Sequence, residues 1–172
     1  MKNLPIGIST LENIRDDDYV YIDKTHHISN LIGNGGKYFF LSRPRRFGKS
    51  LLLDTLKQAF LGKKEVFKGL HLENHWDWNA QYPVLHFDFG AGVIKSLAEL
   101  EVLMHAMMDE YFVLHDIKSS YENSINNRFS YLINQMQMKY KQKVVVLIDE
   151  YDKPIVDNIL NLDGATQVRE GL

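Results

Sequence analysis

Cysteine is absent from the 172 residues, so disulfides and thiolate metal sites are excluded. Net charge is nearly absent too. With 20 Lys and Arg against 22 Asp and Glu, the total is −2, so nothing draws the chain as a whole to nucleic acid or to a membrane, and any basic surface has to be local. No apolar run approaches the roughly 20 residues of a membrane span. The opening Met-Lys-Asn-Leu-Pro-Ile-Gly lacks the apolar stretch of a secretion signal. A cytoplasmic protein without a membrane partner is the resulting expectation. Repeats and low-complexity linkers are missing as well. The 45% hydrophobic content is enough for one ordinary globular domain with a buried core.

What stands out is the stretch Lys37 to Asp54, which reads as strand, loop and helix. Tyr38 to Leu41 are strand formers, Arg43 to Phe47 make a loop, and a helical pattern starts at Gly48. Gly48-Lys49-Ser50 is the closing half of a phosphate-binding loop. Gly48 lets the backbone approach a phosphate, Lys49 can place its charge on the outer phosphates, and Ser50 can offer a hydroxyl to Mg²⁺. The helix that begins there directs unpaired N–H groups and the positive end of its dipole at the same anion. The first glycine of the general pattern is absent, because position 43 holds Arg43.

Gly-Lys-Ser alone is a weak signal that also fits a simple helix start. A second stretch far along the chain strengthens it. Lys143-Val-Val-Val-Leu-Ile-Asp149-Glu150 is a continuous apolar run, as in a strand buried on both faces, ending in two acids. An acid in that place can hold Mg²⁺ through water, and the next can orient an attacking water.

Three strings together, Tyr21-Ile-Asp-Lys-Thr25, Phe40-Leu-Ser-Arg-Pro-Arg-Arg-Phe-Gly-Lys-Ser-Leu51 and Leu147-Ile-Asp-Glu-Tyr-Asp-Lys-Pro154, resemble the bacterial AAA-ATPase-like family. The resemblance runs from about Leu4 to about Ile159. It implies a P-loop ATPase domain in which an arginine at the first-glycine position is usual. Longer members often carry a nuclease-like domain of the PD-(D/E)XK type, of which nothing is visible in this sequence.

The expected organisation is an N-terminal arm over residues 1–36 and a P-loop core over 37–172. Ser9-Thr-Leu-Glu12 offers a capping box or a plain surface lead-in. Tyr19 to Asp23 read as a short strand or extended arm. Thr25 is placed to cap a helix from His26 to about Ile32, stopped by Gly33-Asn-Gly-Gly36. Asp23, Lys24 and Thr25 are either a turn and cap or part of an arm folded near a nucleotide. Further helices are expected over 48–60, 96–115, 124–140 and from Pro154 through Leu160. Strands are expected at 38–42, 83–89 and 143–149, with Asp88 either reaching a site at the sheet's edge or simply ending a strand. His71 and His75 stand four apart but lack a third ligand, so packing outweighs metal binding. The methionines at 104, 107, 108, 136 and 138 read as core filler.

These elements make an α/β chain, a P-loop NTPase-like three-layer α/β/α arrangement with a mainly parallel sheet. In ATPases with a glutamate after the magnesium-associated aspartate, another strand lies between the P-loop strand and the acidic strand and comes later in sequence. Few residues follow Asp149, so the domain is expected to lack its later strands and to be C-terminally incomplete. Two strands that should flank a third would stand roughly 10 Å apart, twice the usual spacing, so either they pair directly or the missing strand comes from elsewhere.

The candidate site is then Lys49 on the β- and γ-phosphates, Ser50 and Asp149 at Mg²⁺, and Glu150 as the water-orienting base. Phe47 and Gly48 contribute backbone amides, and Arg43 and Arg46 add positive potential. Pro44 removes one early donor. For each of Arg43, Arg45 and Arg46 taken singly, a solvated or salt-bridged charge is an equal reading. The leading function is ATP binding with hydrolysis. The alternatives are a nucleotide switch without turnover, an interaction module, and a nucleic-acid-associated part of a nuclease system.

Overall fold

The computed structural model describes residues 2–33, 35–44, 46–119, 124–158 and 169. Its elements are α1 (Leu11–Asp16), α2 (His26–Gly33), α3 (Lys49–Phe60), β1 (Val84–Asp88), α4 (Leu97–Leu114), α5 (Ile125–Tyr140), β2 (Val145–Asp149) and α6 (Lys153–Asp157), with 3₁₀ turns at Lys64–Phe67 and His71–Glu73. It is a mixed helix and strand structure with one small parallel sheet, in which β1 pairs with β2. The chain divides into two units, residues 1–84 and 85–172.

In the first unit, α1 and α3 share a core with the 3₁₀ turns. Leu11, Ile14, Leu56, Ala59, Phe67 and Leu72 are all buried. The capping box does not form: Thr10 occupies the N-cap position of α1 without a side-chain bond, and Glu12 pairs with Lys63 at 3.1 Å instead. The cap comes from elsewhere. Asp54 of α3 accepts a hydrogen bond from the Leu11 N–H at 2.7 Å. Phe60 sets its ring edge-on to Trp76 and Tyr82, and Trp78 donates its indole N–H to the Glu73 carbonyl at 2.9 Å. His71 and His75 lie ring on ring, with centroids 3.9 Å apart.

Thr25 precedes α2 as expected, but its hydroxyl serves a longer-range contact. It donates to Asp23 Oδ1 at 2.7 Å and accepts from the Leu72 N–H at 3.2 Å. Asp23 Oδ2 takes the His71 N–H at 2.6 Å. These two side chains therefore staple the arm to the second 3₁₀ turn, where they satisfy backbone donors that would otherwise go unpaired.

The strand expected at 38–42 does not form. Residues 38–44 have no regular structure, and Tyr38 and Phe40 are 95% and 71% exposed. A strand exists only through ladder hydrogen bonds, and among the described residues this apolar run has no ladder partner.

In the second unit the sheet is backed by α4 and α5 around Leu85, Phe87, Leu100, Met108, Phe112, Leu132 and Met136. Ser96 caps α4 by accepting from the Glu99 N–H at 3.2 Å, and Ser124 caps α5. The Tyr111 hydroxyl accepts from the His86 N–H at 2.6 Å and donates to the His86 carbonyl at 2.8 Å, tying α4 to the backbone of β1. Two expectations need correction here. β2 is not buried on both faces: Leu147 and Asp149 point inward, while Val146 and Ile148 are exposed. Met138 also lies on the surface rather than in the core. The helix expected through Leu160 is seen over Lys153–Asp157, and Ile159 and Leu160 fall outside the described residues.

Candidate functional site

Gly48 stands immediately before α3 with φ +76°, in the left-handed region, and nothing lies within 4 Å of where its Cβ would be. Glycine is the residue that takes this conformation without strain, and the absent side chain leaves the approach to the helix start open. The first bond of the helical ladder runs from the Leu52 N–H to the Gly48 carbonyl at 2.9 Å. The N–H groups of Lys49, Ser50 and Leu51 therefore precede the ladder and form the donor end of a 12-residue helix. Lys49 and Ser50 are half-buried. Arg43, Pro44, Arg46 and Phe47 are exposed around them, and Arg45 lies outside the described residues.

The second unit brings three acids to one end of the sheet. Asp88 ends β1 and Asp149 ends β2, and the Phe89 N–H donates to the Asp149 carbonyl at 3.1 Å, so the two strand ends are held side by side. Asp149 is buried, and its Oδ1 accepts from the Glu150 N–H at 3.0 Å, which fixes the carboxylate. Asp88 is exposed and takes the Gly90 N–H at 2.7 Å. A Cβ on Gly90 would meet Asp88 Oδ1 at 2.9 Å and Glu150 Cγ at 3.6 Å. The role of Gly90 in leaving room for both acids was not legible in the sequence, where it only ends a strand.

Backbone strain marks the same residues. Among the described residues, five non-glycine residues have positive φ: Asp18, Arg46, Asp116, Lys141 and Glu150. Asp tolerates the left-handed region, and Lys141 sits at the C-cap of α5, where that conformation is usual. Arg46 at +65° and Glu150 at +54° have neither excuse, and both belong to the candidate set. Strain of this kind costs on the order of 1–3 kcal/mol and collects at functional sites.

The arm residues are placed differently. Asp23 and Thr25 tie to residues 71 and 72, and within this unit the arm meets the middle of α3, through Asp54 and through a Tyr21–Thr55 side-chain hydrogen bond. Burial pushes the Tyr21 phenol up, against a lowering contribution from that bond. Among the described residues, no three His, Cys, Asp or Glu side chains are arranged to hold a metal ion by themselves.

The predicted AAA-ATPase family matches residues 5–172. This chain belongs to that family. An uncharacterized protein in the vnfD 5′ region of Azotobacter chroococcum mcd 1 is 45% identical over 172 residues, covering 99% of this chain and 33% of the relative. The chain thus spans about a third of that relative's length. No solved structure matches it. A predicted ATPase family supports ATP binding at a general level. No helix among the described residues is long and apolar enough to cross a membrane.

Proposed function

We propose that this chain is a P-loop domain of the NTPase type that binds ATP with Mg²⁺ at the start of α3 and hydrolyses it in the cytoplasm. The observation that carries the proposal is the helix start itself: a left-handed, uncrowded Gly48 followed by Lys49 and Ser50 at the donor end of a 12-residue helix. Backbone N–H groups from Phe47 to Ser50 would cradle phosphate oxygens, and Lys49 would place its ammonium on the β- and γ-phosphates. Arg43 and Arg46 would add positive potential beside them. The strain held at Arg46 supports that assignment.

In this reading Ser50 would offer its hydroxyl to a hard, oxygen-liganded cation, and Asp149, whose carboxylate accepts from the Glu150 N–H, would act on it through water. A cation held by these residues would supply positive charge against the negative charge that develops on the phosphate. Glu150 would orient a water for attack on the γ-phosphorus and accept its proton as the bond to the bridging oxygen breaks and ADP departs. The test is ATP turnover alongside ATP binding: Glu150→Gln should keep binding and lose turnover by about a hundredfold or more. Turnover unchanged in that variant would remove Glu150 from the role.

A further inference from the structure

Four of the chain's seven histidines are gathered at one place in the first unit. His26 and His27 open α2, while His71 begins the second 3₁₀ turn and His75 follows it. The rings of His71 and His75 are stacked, with centroids 3.9 Å apart and planes within 6° of parallel. His26 stands edge-on to His71 at 6.2 Å, and His27 lies 3.9 Å from His26. In the sequence, His71 and His75 have no third ligand near them. Folding brings one from α2.

Packing does not account for the group. His26, His27 and His75 are exposed and His71 is half-buried, so the rings gain little from leaving water. The structure also fixes one proton. His75 Nδ1 lies 2.7 Å from the His71 carbonyl, which can only accept, so Nδ1 carries the hydrogen and donates it. In the neutral ring this leaves the Nε2 lone pair available, and a ring N–H held by a backbone carbonyl is the way metal-binding histidines are oriented. His71 Nε2 meets only a long contact, 3.3 Å to Ser29 Oγ. The Asp23 carboxylate, which interacts electrostatically with His71, adds negative charge at the same spot.

Two imidazoles on one tetrahedral zinc ion, with Zn–N bonds of about 2.0–2.1 Å, have ring centres roughly 5 Å apart. The observed separations of 3.9 and 6.2 Å fall on either side of that value. As they stand the rings stack and do not converge on one point. Turning the exposed side chains so that each pair shifts by roughly 1 Å would bring them to the required spacing.

We propose that His26, His71 and His75 form a binding site for a divalent cation of the zinc class, which imidazole nitrogen suits, with water completing the tetrahedron. The ion ties α2 to the second 3₁₀ turn, across the junction that Asp23 and Thr25 already staple. The site is independent of the nucleotide reading, because none of its residues belongs to that candidate set.

The test is isothermal titration of zinc chloride into the intact wild-type chain and into His26→Gln and His75→Gln, with thermal unfolding of each measured with and without zinc. Both substitutions change exposed side chains, circular dichroism confirms that the variants are folded, and no cysteine competes for the ion. The expected result is one ion per chain, bound about tenfold or more weakly in each variant, since a lost ligand costs at least as much as a lost outer partner. Zinc should also raise the unfolding temperature of the wild type, and each variant should lose most of that rise. Three results overturn the proposal. One is no saturable binding by the folded wild type. Another is binding that either variant leaves untouched, which means that other ligands hold the ion. The last is one ion shared by two chains, which places the site between copies.

Discussion

The carboxylate of Asp54 accepts a hydrogen bond from the backbone N–H of Leu11 at 2.7 Å, across 43 residues of chain. An acid in the middle of α3 thereby supplies the N-terminal cap that α1 lacks in its own sequence. Replacing it with alanine leaves a helix-start donor without its acceptor. The expected cost is about 1–2 kcal/mol. Urea unfolding of Asp54→Ala should show that loss, with faster amide exchange at the start of α1. Unchanged stability would mean that water caps the helix equally well.

That contact also marks the limit of what the sequence disclosed. The helices α3, α4 and α5 were legible because their start signals are local: Gly48 before Lys49, Ser96 three residues before Glu99, and Ser124 before Ile125. Ser9 and Glu12 carry the same kind of signal and do not use it, since Asp54 takes the donor and Lys63 takes Glu12. Tyr38 to Leu41 have the composition of a strand, but composition does not name a ladder partner. β2 formed where expected because β1 lies beside it, yet its outward Val146 and Ile148 depend on what stands over them, and local pattern does not encode that. Gly48, Lys49, Ser50, Asp149 and Glu150 are marked in the sequence by motif, by residue type and by the family resemblance. Gly90, which makes room beside Asp88 and Glu150, is a consequence of pairing between strands far apart in sequence.

Asp23 gives the first unit an acid-sensitive contact. Burial works against its charged form, but the Thr25 and His71 N–H groups, the Thr25 hydroxyl and the nearby His71 charge outweigh it and hold its pKa below the usual 3.8. A folded-state pKa below the unfolded one contributes stability that is present above pH 3.8 and lost as pH falls through the lower folded value. Asp23→Asn should therefore flatten the acid limb of a stability profile measured by chemical denaturation. A limb of unchanged steepness would show that other carboxylates carry it.

His115 acts at a higher pH in the second unit. Its Nδ1 meets the Tyr140 hydroxyl at 2.8 Å and its ring stacks on Tyr111. Burial, and then the positive Lys139, push its pKa below 6.5. The folded state prefers the neutral ring, so this contribution is complete above pH 6.5 and declines as pH falls towards the lower folded value. An NMR titration of the His115 ring should give a midpoint under 6.5, and His115→Gln should remove this part of the decline. A midpoint above 6.5 contradicts the assignment.

Arg128 is a buried cation in the second unit. It is held by Asp109, by the Ser119 hydroxyl at 2.8 Å and by His105 Nδ1 at 2.8 Å, and its guanidinium lies 5.2 Å from the Phe112 ring centre. Arg128→Ala removes all of these contacts and opens a cavity, at an expected cost of about 3 kcal/mol or more. Arg128→Met keeps contact with Phe112 and should cost roughly half as much, because Asp109 is already half in water. Equal losses in the two variants would assign the stability to the ion pair rather than to packing.

The central claim is that the helix opened by Gly48, Lys49 and Ser50 receives the phosphates of ATP. It is tested most directly by equilibrium binding of a fluorescent ATP analogue, with Mg²⁺, to the wild-type chain and to Lys49→Ala, both first shown to be folded. The predicted result is saturable binding by the wild type that weakens about tenfold or more in Lys49→Ala. A folded wild-type chain that binds no nucleotide, or one whose binding is untouched by the loss of Lys49, would contradict the claim.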